Sequence, residues 1–154
     1  MSFQFLVGCC VSVINIMVHA LITLVTIGIA RQAGLKHTSR PQSHLMMVMV
    51  VTALVLMIAH TVEIVVWSLA YAVVGAAPAG SNLLDFAFVN YTTLGYGDVT
   101  PLPEWRLIGP MTAMNGILMF GWSTAMLFEV LRKTVEHLSS IVSSGVPLSS
   151  KDPD

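Results

Sequence analysis

The sequence predicts an all-α membrane protein with three transmembrane helices and one short re-entrant helix. Three observations predict it. Hydrophobic residues make up 55% of the 154 residues and charged residues only 10%, against about 25% charged in an ordinary soluble domain. Three apolar stretches each exceed the ~20 residues that a helix needs to cross a bilayer. Between the second and third lies a short capped segment, followed by a glycine-containing turn, Thr92-Thr93-Leu94-Gly95-Tyr96-Gly97-Asp98-Val99-Thr100-Pro101.

Composition excludes several function classes. The mean hydropathy is +0.80, so a membrane is the natural solvent. The net charge is -1, which implies no nucleic-acid partner. At this length the chain holds one folded unit. The adjacent Cys9 and Cys10 cannot easily bridge each other and are expected as buried free thiols. No nucleophile–base pair or recognisable catalytic set is present, so an enzyme is not expected.

The first apolar stretch runs from about Phe3 to Ala30. It has no basic leader and exceeds the ~7–15 residues of a signal-peptide core, so it is expected to remain as a spanning helix. The second runs from Leu45 to Val74 and is long enough to tilt. The third runs from about Leu107 to Leu131. Each must be helical, because a lone spanning strand would leave its backbone unpaired in lipid. The expected divisions are 1–44 (first helix and cytoplasmic loop), 45–136 (the two later helices and the segment between them) and 137–154 (a tail expected to be disordered).

Lys and Arg placement sets the orientation. Arg31, Lys36 and Arg40 fall in the first connection, and Arg132, Lys133 and Lys151 follow the third stretch; only Arg106 lies on the other side. This bias places the first connection and the C-terminus in the cytoplasm and the N-terminus outside. The segment between the second and third helices then faces outward. It leaves the second helix through Gly75-Ala-Ala-Pro-Ala-Gly80, a turn-rich exit. Asn82 can cap a new helix, with Asp85 three residues on as in a capping box, and that helix runs from Leu83 to about Thr92. It ends where the glycine-containing turn begins.

Gly95 and Gly97 alternate with larger residues. A backbone that alternates right- and left-handed conformations aims successive carbonyls to one side, and glycine suits the left-handed positions. Such a row of oxygens can replace the hydration shell of a cation, with the negative end of the short helix aimed at it.

These residues carry a resemblance. The run Thr-x-Gly-Tyr-Gly-Asp resembles the selectivity filter of potassium channels. From about Leu45 to Lys133 the chain is similar to the two-helix-plus-pore-loop domain of the bacterial members. The resemblance implies a tetrameric pore, a homotetramer that conducts K+ passively. It places K+ at the carbonyls of Thr93, Leu94, Gly95 and Tyr96 and the Thr93 hydroxyl, with Gly97 completing the filter. Thr92, Asp98 and Val89 would support the filter and its outer mouth, and the Tyr96 hydroxyl would anchor to surrounding helices. Gly116, in the run Gly116-Ile-Leu-Met-Phe-Gly121, corresponds to the gating hinge. The chain departs from the family pattern at Leu94 (a valine in relatives), at Asp85 and Phe86 (often a Trp pair) and at Val89 (a glutamate in several). No organic cofactor is expected. The implied setting is a multi-pass plasma membrane, bacterial inner membrane, in contact with lipid, with room for a separate regulatory subunit. Two other readings stand beside it: a weakly selective cation channel, and a non-conducting haem-binding or interaction subunit that would use His19 and His60.

Ionisable side chains at depth are costly and usually face protein. Asn15 and His19 share a face of the first helix, and His60 and Glu63 share one of the second. They are expected to form a hydrogen-bonded cluster that docks the first helix or senses protons. The first helix carries a single arginine, Arg31, at its inner end, and so does not read as a voltage sensor. Glu129 at the inner end of the third helix would either ring the inner mouth or pair locally with Arg132 or Lys133.

Overall fold

A computed structural model describes residues 2–34 and 41–144. The elements are α1 (Ser2–Gly34), α2 (Pro41–Val74), α3 (Leu83–Tyr91), a 3-10 turn (Pro103–Trp105) and α4 (Ile108–Ser144). Among the described residues there is no strand. Three helices are long and apolar enough to cross a membrane, over Phe3–Gly28, Gln42–Val74 and Pro103–Glu136.

α1 packs against both α2 and α4, and α3 sits between α2 and α4. Polar contacts fix which ends meet. The Leu107 amide donates to Gln4 Oε1 at 3.2 Å, and Phe3 lies against Trp105 with ring centroids 5.8 Å apart. The Leu102 amide donates to the Ala76 carbonyl at 2.9 Å. The start of α1, the end of α2, the loop after α3 and the start of α4 therefore share one end of the bundle. Pro110 lies in the first turn of α4, where a missing N–H leaves no intrahelical bond unmade.

The core gathers around α3: Trp67, Tyr71, Phe86, Tyr91, Ile108, Met111 and Met119 are buried together. Leu56, Met126 and Val130 form a smaller cluster further along α2 and α4. Large apolar side chains such as Leu21, Leu24, Met46 and Val73 face outward, as lipid requires. Gly8 lets α1 approach α4 closely, because a Cβ there would collide with the Met111 thioether.

Several expectations are corrected. All three long helices extend past their apolar stretches, α4 the furthest. The segment from His137, expected to be disordered, is helical as far as Ser144; residues 145–154 lie outside the described residues. Hydropathy falls at Leu131, but Arg132 bridges Glu129 at 2.9 Å and Glu136 at 2.8 Å. Such pairs at helical spacing carry a helix on in water. The two cysteines are free, but Cys10 is exposed rather than buried. The basic connection containing Lys36 and Arg40 lies outside the described residues.

Candidate functional site

The loop after α3 is built from its cap outward. Asn82 Oδ1 accepts the Asp85 amide at 3.2 Å, one half of the expected capping box. The helix ends at Tyr91, and its last carbonyls turn the chain. The Thr93 amide donates to the Asn90 carbonyl at 3.1 Å and the Leu94 amide to the Val89 carbonyl at 2.9 Å. The Thr92 hydroxyl donates to the Phe88 carbonyl at 2.7 Å. Beyond this point the backbone alternates. Thr93, Gly95 and Gly97 have φ of 61°, 64° and 78°, while Leu94 and Tyr96 do not have positive φ. The glycines match expectation. Thr93 does not follow from propensity, because a β-branched residue at positive φ is an outlier held by its surroundings.

The loop lies bare along its length. Leu94 is 56% exposed and Tyr96 70%. The Tyr96 hydroxyl has no hydrogen-bond partner among the described residues, which therefore do not provide the anchoring that the resemblance implies. Asp98 is exposed at the exit and accepts the Val99 amide at 3.0 Å. Val89 is buried under the loop and offers it only its backbone carbonyl.

Behind α3 lies a second polar assembly. Glu63 is completely buried, and its carboxylate is bracketed from three helices. His19 Nδ1 from α1 lies 2.7 Å from Oε1, and His60 Nδ1 lies 3.3 Å from Oε2. The Tyr91 hydroxyl donates to Oε2 and lies 3.0 Å from His60 Nδ1. On the far side both imidazoles meet one hydroxyl on α4: Ser123 Oγ is 2.9 Å from His60 Nε2 and 3.4 Å from His19 Nε2. One turn along α1, Asn15 Nδ2 donates to the Glu63 carbonyl at 3.2 Å and to Asn115 Oδ1 at 3.0 Å. The Trp67 indole also donates to Asn115 Oδ1, at 2.9 Å. The four residues Asn15, His19, His60 and Glu63 are thus brought together. Sequence reasoning missed Tyr91 and Ser123 as their partners; Trp67 joins the assembly through Asn115. Their signal is weak: a tyrosine beside two threonines and a lone serine in an apolar run say little until the helices are placed.

A third link fixes α3 from the side. The Tyr71 hydroxyl lies 2.6 Å from Thr112 Oγ1, and Asn90 Nδ2 donates to Tyr71 at 3.3 Å. Gly116 is buried where α4 crosses the end of α3. A Cβ there would run into the Tyr91 carbonyl oxygen and lie 3.0 Å from its carbon. Close approach alone thus requires glycine at this position, and α4 continues unbroken through it. Glu129 forms local pairs, 2.9 Å to Arg132 and 3.0 Å to Lys133. Each ring nitrogen of His19 and His60 already has a hydrogen-bonding neighbour, and the two rings stand 5.5 Å apart. A porphyrin disc would have to force that packing open.

Three helices long and apolar enough to cross a bilayer, with a capped helix and an irregular loop between the last two, define an all-α, multi-pass membrane protein. Non-helical backbone at such a position is tolerated where it lines a cavity or is buried in protein. A family model described as ion channel matches residues 45–133, from the apolar start of α2 to Lys133 on α4. The match covers more than half of the chain, and the chain belongs to this ion channel family. Membership points to ion transport rather than catalysis. No curated protein and no solved structure matches the chain. α1 lies outside the matched segment.

Proposed function

We propose that the chain is one subunit of a homotetrameric potassium-selective channel, with the loop Thr93–Gly97 as its filter. The observation that carries this reading is the alternation of positive φ at Thr93, Gly95 and Gly97 directly after a capped, non-spanning helix. That alternation turns successive carbonyls to one side, which is the chemistry needed to replace the hydration shell of a bare monovalent cation. One chain supplies only one wall of such a ring. The exposure of Leu94 and Tyr96 supports an assembly in which neighbouring copies cover them. Potassium ions are then the cargo, held at Thr93, Leu94, Gly95 and Tyr96. The charge bias predicts the N-terminus outside, the C-terminus in the cytoplasm and, by resemblance, a bacterial inner membrane.

A second reading, a weakly selective cation pore, is favoured by Val89. An apolar side chain behind the loop gives the carbonyl ring no side-chain hydrogen bond, and selectivity depends on how firmly the ring is held. Flux into proteoliposomes with potassium and sodium in competition separates the two. Potassium flux that exceeds sodium flux and disappears in Gly95→Ala is the expected result. Equal flux for both ions moves the protein to the weakly selective reading. No flux from a correctly assembled tetramer would overturn both.

A further inference from the structure

We propose that His19, His60 and Glu63 form a binding site for a divalent transition-metal ion of the zinc class, one ion per chain. We further propose that its occupant couples α1 to the pore loop through Tyr91. Three features of the structure point to it. One donor atom from each of the three side chains lies within 4.8 Å of the other two. Two imidazoles and one carboxylate are a donor set that Zn2+ uses, at about 2.0–2.2 Å per ligand atom in tetrahedral geometry. Ligand atoms around such an ion stand roughly 3.3–3.5 Å apart on those bond lengths. At present each imidazole Nδ1 faces its own carboxylate oxygen, His19 at 2.7 Å from Oε1 and His60 at 3.3 Å from Oε2. A small ion therefore asks less rearrangement of this packing than a porphyrin would.

The surroundings also suit an ion. His19 and Glu63 are wholly buried, while the His60 side chain is 13% exposed and gives a way in. Ser123 holds the Nε2 atoms of both imidazoles on the far side and can orient them as ligands, while the Tyr91 hydroxyl lies on the Nδ1 side beside the carboxylate. Along α1, Asn15 Oδ1 and Thr23 Oγ1 are buried without a hydrogen-bond partner among the described residues. They leave a polar lining on both sides of His19.

Occupancy has a direct route to the loop. Tyr91 donates its hydroxyl hydrogen to Glu63 Oε2, the carboxylate oxygen on the His60 side. Tyr91 is the last residue of α3, and an ion taken up at that oxygen would compete with its hydrogen bond for the lone pairs. The turn at Thr93 lies just two residues further along the chain.

Metal binding does not depend on the channel reading; the effect on flux rests on it. The test uses the purified full chain titrated with cobalt as a spectroscopic substitute for zinc. The expected result is tetrahedral cobalt absorption saturating at one equivalent per chain, displaced by zinc. His19→Gln and Glu63→Gln should weaken it by at least about tenfold. His60→Gln leaves the His19–Glu63 pair in place and so separates lost ligation from lost folding. It should weaken binding to the same extent while the oligomer elutes unchanged. Absence of tetrahedral bands at millimolar cobalt, or bands unaltered in His60→Gln and His19→Gln, overturns the site. Tyr91→Phe keeps all three ligands and should retain binding while removing the response of potassium flux to zinc. A flux response unchanged in Tyr91→Phe overturns the coupling alone. A preparation that binds cobalt but passes no potassium refutes the channel and leaves the metal site standing.

Discussion

The loop after α3 and the polar seam beneath it lie back to back on one short helix, and they differ in completeness. The seam is closed within a single chain. Its carboxylate, two imidazoles, phenol and hydroxyl satisfy one another, and all but His60 are buried. The loop is the reverse: its backbone is set, yet Leu94 and Tyr96 remain mostly exposed. A buried polar network that one chain completes has a structural effect as soon as that chain folds. In the proposed channel, a row of carbonyls that one chain leaves bare becomes useful when other copies join it.

The contrast gives predictions of decreasing size. Glu63→Ala strips three helices of their shared acceptor. It should lower the stability of the detergent-solubilised protein by about 3–5 kcal/mol, the usual cost of breaking a buried charged pair. Thermal unfolding measures it, and a loss below about 1 kcal/mol, the scale of an exposed pair, would mean that the seam does not hold the helices together. Gly97→Ala should cost less stability and more function. A Cβ at Gly97 meets nothing within 4 Å among the described residues, so the stability cost should be that of the backbone conformation alone. The left-handed backbone costs an alanine roughly 1–2 kcal/mol, and potassium flux should drop at least about tenfold. A variant that conducts normally would remove the loop from the permeation path. Arg132→Ala removes exposed pairs to Glu129 and Glu136, and its effect on stability should stay below about 1 kcal/mol. A larger loss would show that the extension of α4 contributes more than a solvated helix end.

The same two regions differ in how legible they were in the sequence. The three spans were readable, because an apolar run of about twenty residues with almost no charge has little use outside a bilayer. Their ends were not, because ion pairs such as Arg132–Glu136 carry the helix into water where hydropathy is silent. Gly95 and Gly97 announced left-handed backbone; Thr93 did not, since its branched side chain argues against the conformation it adopts. In the seam, Asn15, His19, His60 and Glu63 stood out as costly residues at helical spacing. Tyr91 and Ser123 did not, because a hydroxyl in an apolar run becomes informative only when packing gives it a neighbour. Gly116 resembled a hinge by pattern, whereas its surroundings require a glycine for contact with Tyr91.

The hydrogen bond between His19 and Glu63 also bears on how the chain is made. Polar side chains near the centre of a spanning helix disfavour its release into lipid, by about 2.5–3.5 kcal/mol for the most strongly charged types. α1 leaves the ribosome before α2 and carries Asn15, His19 and Thr23 while their partners are still unmade. α2 brings Glu63 and His60, and each helix answers the other's need. The two are thus suited to enter the bilayer together, the helix outside the channel-family match alongside the first helix within it.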